Sequence, residues 1–155
     1  MKKLFAIITI LFLAACSSRM SGPTTTTCTN APQVFSADDT VVIIKGYDEE
    51  IRMWTEQTTL TREQLNDYVL EGMDLTDDEI VELFEYLNTL ETEGFDLRLV
   101  SLSDSQAIIE YVYDYTIISS EELSDIWDVD DFEREITLSA AIRGLESQDA
   151  VCNTE

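Results

Sequence analysis

Val41-Val42-Ile43-Ile44-Lys45, followed by Gly46-Tyr47-Asp48-Glu49-Glu50 and then Ile51 to Leu60, decides the fold. The first five residues are almost all β-branched and read as a strand, because branched side chains pack well on a pleated surface. The middle five supply a turn. In the last segment Ile51, Met53, Thr55, Gln57 and Thr59 fall on one face by strict alternation, and Trp54 and Thr58 on the other. Two strands around a short polar turn make a β-hairpin, so the folded part is built around antiparallel pairing.

Toward the C-terminus the pattern changes period. Thr61-Arg62-Glu63-Gln64 is a capping box, in which Thr61 and Gln64 satisfy amides left free at a helix start. Leu65, Tyr68 and Val69 follow at helical spacing, and Gly72 ends this short helix. Thr76-Asp77-Asp78-Glu79 is a second capping box, with acids placed favourably against the helix dipole. Ile80, Leu83, Phe84, Leu87 and Leu90 then form an i, i+3, i+4, i+7 stripe that Gly94 is expected to stop at the C′ position. A second hairpin runs from Phe95 to Leu102 and from Ala107 to Ile118, through the polar turn Ser103 to Gln106. Ser119 to Glu122 caps a short helix through Trp127, and Thr137 to Leu145 forms the last helix, its apolar face carrying Leu138, Ala141, Ile142 and Leu145. A terminal strand or extended segment carries Cys152. Strands in antiparallel pairs with helices between them predict an α+β fold, a twisted antiparallel sheet built from two hairpins with helices packed on one face.

Toward the N-terminus lies Leu13-Ala14-Ala15-Cys16, preceded by Lys2, Lys3 and an apolar run from Leu4 to Leu13 broken only by Thr9. A membrane-spanning helix needs about 20 apolar residues, and this run is too short. An ordinary secretory signal shares the basic and apolar parts but needs no cysteine after its small residues. The order resembles a bacterial lipoprotein signal peptide with its lipobox. The resemblance implies cleavage between Ala15 and Cys16 and acylation of Cys16, and Ser17 fits sorting to the outer membrane, facing the periplasm, in a diderm organism. The chain is thus expected to divide into a signal peptide (1–15), a lipidated cysteine with a flexible Ser/Thr linker (16–33), and a single α+β domain (34–155).

With Cys16 acylated, Cys28 and Cys152 remain. In an oxidising compartment a pair reads as a disulfide; two free thiols or a reactive site are the alternatives. The 155-residue chain has no histidine and a net charge of −23. Without imidazole, a Ser-His-Asp triad and a Cys-His pair are impossible within the chain. All 32 acidic residues lie from Asp38 onward, against only Lys45, Arg52, Arg62, Arg98, Arg134 and Arg143 in the same stretch. Nucleic acid, whose phosphates require clustered cations, is excluded as a partner, whereas a basic protein or peptide would be attracted. Asp128-Val129-Asp130 opens like a calcium loop, but Phe132 and Glu133 stand where its fifth and sixth positions need a ligand and a glycine. No metal ligand set and no cofactor are assigned. Paired carboxylates could in principle hydrolyse a glycan, but among 32 acids some pair meets any spacing.

Ile109, Tyr111, Tyr113 and Tyr115 share one face of their strand, with Glu110, Val112 and Asp114 on the other. Aromatics at period two usually form a sheet face packed under a helix; the alternative is that Tyr111, Tyr113 and Tyr115 make an exposed binding strip. Trp54 and Trp127 carry the same two readings. The hairpin with Lys45-Gly46-Tyr47-Asp48 at its turn, the helix ending in Glu93-Gly94-Phe95, the strand with Tyr113-Asp114-Tyr115 and the Ile136-Thr137-Leu138 approach to the late helix together resemble the YehR-like lipoproteins, over about residues 40 to 150. That resemblance implies a small envelope-anchored domain and supplies no catalytic residues. Gln148-Asp149-Ala150-Val151 departs from the glycine and aromatic expected after the last helix, and the Cys28/Cys152 pair lies outside the pattern.

The expectation is a non-enzymatic, lipid-anchored envelope protein of binding or accessory type. The alternatives are an acidic cation-binding envelope protein and, third, a carboxylate-based glycan hydrolase. Cys16→Ser is expected to abolish acylation and move the protein from the membrane to the soluble fraction, read by fractionation and intact mass; full retention in the membrane would refute the lipobox reading.

Overall fold

The computed structural model describes residues 22–32, 39–89, 92–119, 121–122 and 137–155. Among these, six strands form one antiparallel sheet: β1 (Pro23–Thr29), β2 (Asp39–Tyr47), β3 (Glu50–Thr61), β4 (Phe95–Leu102), β5 (Gln106–Asp114) and β6 (Val151–Thr154). Their spatial order is β4-β5-β3-β2-β1-β6. The two expected hairpins, β2–β3 and β4–β5, meet through the pairing of β3 with β5. The helices α1 (Arg62–Gln64, running into a π-turn over Leu65–Val69), α2 (Asp77–Thr89) and α3 (Leu138–Glu146) pack on one face. The fold is the expected α+β twisted sheet.

The linker expected over residues 16–33 is corrected in its second half. Pro23–Thr29 is a strand within the sheet, paired with β2 on one side and β6 on the other. The threonines are β-branched, which suits a pleat, and Thr26 and Cys28 point inward at period two, each fully buried. Polarity alone suggested a solvated linker; two neighbouring strands supply the backbone partners that make it a strand.

A β-bulge makes a second correction. Lys45 faces Met53 but Gly46 faces Ile51, leaving Arg52 as the extra residue. The bulge shifts Ile51 off the Met53 face and onto the Trp54 face, where it packs against the cluster of Val42, Ile44, Leu138 and Ile142. Gly46 is required here, since a Cβ would sit 2.9 Å from both the Glu50 carbonyl oxygen and Leu138 Cδ2.

The capping boxes form as read. Thr61 N–H donates to Gln64 Oε1 (2.7 Å) and Thr76 N–H to Glu79 Oε2 (2.8 Å). Ser119 and Glu122 make the same reciprocal pair; the helix expected to continue through Trp127 lies outside the described residues. Ile80 and Phe84 of α2 are buried against Leu60, Leu65, Leu70, Ala107 and Ile109, each such side chain contributing about 1.5–3 kcal/mol. The C-terminal stop of α2, where Gly94 is expected at C′, runs into residues 90 and 91, outside the described residues. Gly94 lies five positions beyond Thr89 at φ +92°, in the turn before β4, where a Cβ would meet the Ile118 backbone nitrogen at 2.8 Å.

Cys28 and Cys152 are directly opposite each other on β1 and β6 and form a disulfide, with Cα atoms 4.0 Å apart. The bond closes a separation of 124 residues, a length for which loop-closure entropy alone stabilises by about 4–5 kcal/mol. Replacing both cysteines by alanine is expected to lower stability by up to that amount, and amide exchange should show β6 released first.

Candidate functional site

Antiparallel register determines what the tyrosine strand can do. Tyr111 lies opposite Glu56, Tyr113 opposite Trp54 and Ile109 opposite Thr58, all on the face that the helices cover. Tyr113 is only 2 % exposed and packs its ring on Phe95 at 5.1 Å between centroids. Tyr111 is half-buried against the α2 cluster. Tyr115 lies past the end of β5, in a turn where its backbone N–H donates to the Arg52 carbonyl. The candidate strip Tyr111, Tyr113, Tyr115 is therefore corrected to a packed face: the side a strip would need for a ligand is occupied by the protein's own core. Trp54 is half-buried on this face too, while Trp127 lies outside the described residues.

Within that face sits a group the sequence reading passed over. Glu56, only 9 % exposed, accepts a hydrogen bond from Trp54 Nε1 at 2.9 Å. Burial raises its pKa above the ordinary 4.5, and the indole N–H offsets part of the rise. Burial and the Glu56 charge push the Tyr111 hydroxyl up to about 12, and burial pushes Tyr113 higher still. The signal was present: Glu56 alternates with Trp54, Thr58 and Leu60, so any inward reading of those residues places it inward as well.

The opposite face of the sheet carries no helix among the described residues. There Ile43, Met53 and Val112 form the floor of a groove of about 640 Å³, and Thr55 and Val112 at its base are only 8 % and 9 % exposed. That is the size class of small-ligand and peptide pockets. Its walls are charged. Arg98 bridges Asp96 and Glu110, Lys45 of β2 is the second cation of the lining, and Glu93 and Asp114 add two further carboxylates. Carboxylates thus outnumber cations on the walls. The groove lies on the back of the tyrosine strand, lined by the residues of β5 that alternate with the tyrosines.

The remaining sequence-derived positions divide clearly. Cys28 and Cys152 are brought together. Ala15 and Cys16, and the acidic run containing Asp128, Asp130 and Asp131, lie outside the described residues. Among the described residues no group of three or more His, Cys, Asp or Glu side chains is arranged to hold a metal ion, and no helix is long and apolar enough to cross a membrane.

No family model and no curated protein matches the chain. Two solved structures do. The NMR structure of a protein from Streptococcus pneumoniae TIGR4 is similar at 14% identity and a TM-score of 0.62, covering 99% of this chain and 96% of that one. The NMR structure of the E. coli YehR protein is similar at 13% identity and a TM-score of 0.51, covering 87% of this chain and 92% of that one. At these identities the likeness is one of fold, and the fold is YehR-like.

The raised pKa of Glu56 has a definite sign. The fold favours the protonated form, so the associated stability is present below the ordinary value of 4.5 and is lost as pH rises through the higher folded value. Glu56→Gln keeps an acceptor for Trp54 without the buried charge. It is expected to raise the melting temperature at pH 7, with a gain that shrinks to nothing below pH 4.5; a loss of stability at pH 7 would contradict the assignment.

Proposed function

We propose that the chain is a lipid-anchored cell-envelope protein of non-enzymatic, binding or accessory type, held by an acylated Cys16 and binding through the open face of its sheet. In a diderm organism it would sit on the outer membrane, facing the periplasm. The observation that carries this reading is the groove behind the tyrosine strand. It combines an apolar floor of Ile43, Met53 and Val112 with walls richer in carboxylate than in cation. An apolar floor supplies affinity, and the acidic walls select a positively charged partner and steer it in. A basic segment of a protein or peptide meets both requirements. The disulfide Cys28–Cys152 fits an oxidising compartment, and the sequence of residues 1–16 supports export and acylation.

A photo-crosslinking residue placed at Met53 in intact cells is expected to yield a discrete adduct, suppressed when Glu110 and Asp114 are replaced by Lys. The same residue at the exposed Val81 of α2 should yield none. Absence of any Met53 adduct, or equal adducts from both positions, counts against the open face as the binding surface.

A further inference from the structure

The strand assignment of Pro23–Thr29 leaves very little chain between the acylated cysteine and the sheet. Six peptide steps separate Cys16 from Gly22, which fully extended span at most about 22 Å. Gly22 is fixed to one end of the sheet: its N–H donates to Asp48 Oδ1 at 2.8 Å, and its carbonyl accepts from the Asp48 N–H at 3.1 Å. The strand directions define that end. It carries the β2–β3 turn, the start of β4, the end of β5 and the first turn of α3. The opposite end carries the β4–β5 turn and the start of α2, which Arg62 joins to β3 through Asp77. β3 runs the whole height with 12 residues, about 40 Å at 3.3 Å each. A tether of about half that length cannot turn the far end down to the membrane.

The near end is also chemically distinct. Tyr47 and Ile117 are 44 % and 52 % exposed there, and the Arg52 guanidinium lies over the Tyr47 ring at 5.0 Å. Aromatic rings with a polar tip settle at the headgroup level of bilayers, and a guanidinium offers phosphate a fork of donors. Four of the acids at this end are engaged by the protein itself. Asp48 accepts from Gly22, Glu49 from the Ser139 N–H and hydroxyl (3.1 and 2.9 Å), Asp114 from the Thr116 N–H (2.9 Å), and Glu50 lies 3.6 Å from Arg52. Asp77, Asp78 and Asp104 sit at the far end.

We infer that the sheet end formed by Tyr47, Arg52 and Ile117 rests on the phospholipid headgroups of the bilayer that holds Cys16, with the α2 end and the β4–β5 turn directed away from it. This rests on the lipid-anchor reading above and adds to it an orientation and a contact surface. The groove opens beside Ile117 and therefore presents its partner close to the bilayer plane.

The test uses the full acylated chain in phosphatidylcholine vesicles containing a lipid with a headgroup nitroxide. Ile117→Cys and Asp104→Cys are each labelled with nitrobenzoxadiazole, and Tyr47→Cys gives a second position at the near end; the disulfide and the acylated Cys16 leave the new thiol as the reactive one. After flotation, the dye at 117 or 47 is expected to be quenched several-fold more than the dye at 104. Equal quenching, or stronger quenching at 104, in chains that float overturns the orientation and leaves the anchor standing. Chains that do not float with the vesicles overturn the anchor, and the orientation with it.

Discussion

The pairing of β3 with β5 is the constraint on which the rest of the molecule depends. It joins two hairpins that are separated in sequence by a helical segment, and its register alone sets which side chains share a face. Trp54 opposite Tyr113, Glu56 opposite Tyr111 and Leu60 opposite Ala107 give one face large enough for α2 and α3 to cover. Met53 opposite Asp114 and Thr55 opposite Val112 give the other. Because side chains alternate with a period of two, a slip of one residue would exchange the faces entirely. The tyrosines would then stand in solvent and the floor of the groove would be buried.

That division also explains where polarity is tolerated. On the covered face the penalty of burying Glu56 is met in part by one indole donor, which leaves the carboxyl above its ordinary pKa. On the open face Arg98, Asp96 and Glu110 form a partly solvated network, where charges cost little and contribute little to stability. The two faces of β5 therefore carry different chemistry on successive residues, about 3.3 Å apart along the strand, a separation set by the pleat rather than by any loop.

Much of this was legible in the chain. Capping residues act locally, so Thr61/Gln64, Thr76/Glu79 and Ser119/Glu122 could be placed from spacing alone, and the stripe through Ile80 and Phe84 needed only the helical period. The disulfide followed from the two cysteines that remain once Cys16 is read as acylated. What could not be read were the features that depend on neighbours distant in sequence. Thr24 to Thr27 are polar, and nothing near them announces the strands that flank them. The bulge at Arg52 lies beside the close approach of Leu138 to Gly46, a contact across more than ninety residues that no local pattern announces. The groove depends on the β3–β5 register, so its lining residues look like an ordinary solvent face when read one strand at a time.

The placement of β1 has a mechanical consequence. A pull on the chain ahead of Gly22 acts along the axis of β1, so its ladders to β2 and β6 are loaded in shear, many hydrogen bonds at once, instead of being unzipped in turn. The Cys28–Cys152 bond passes part of that load covalently to the last strand and, through it, to α3. The strand with the least apolar sequence in the sheet is thereby the one best placed to resist being drawn out of it.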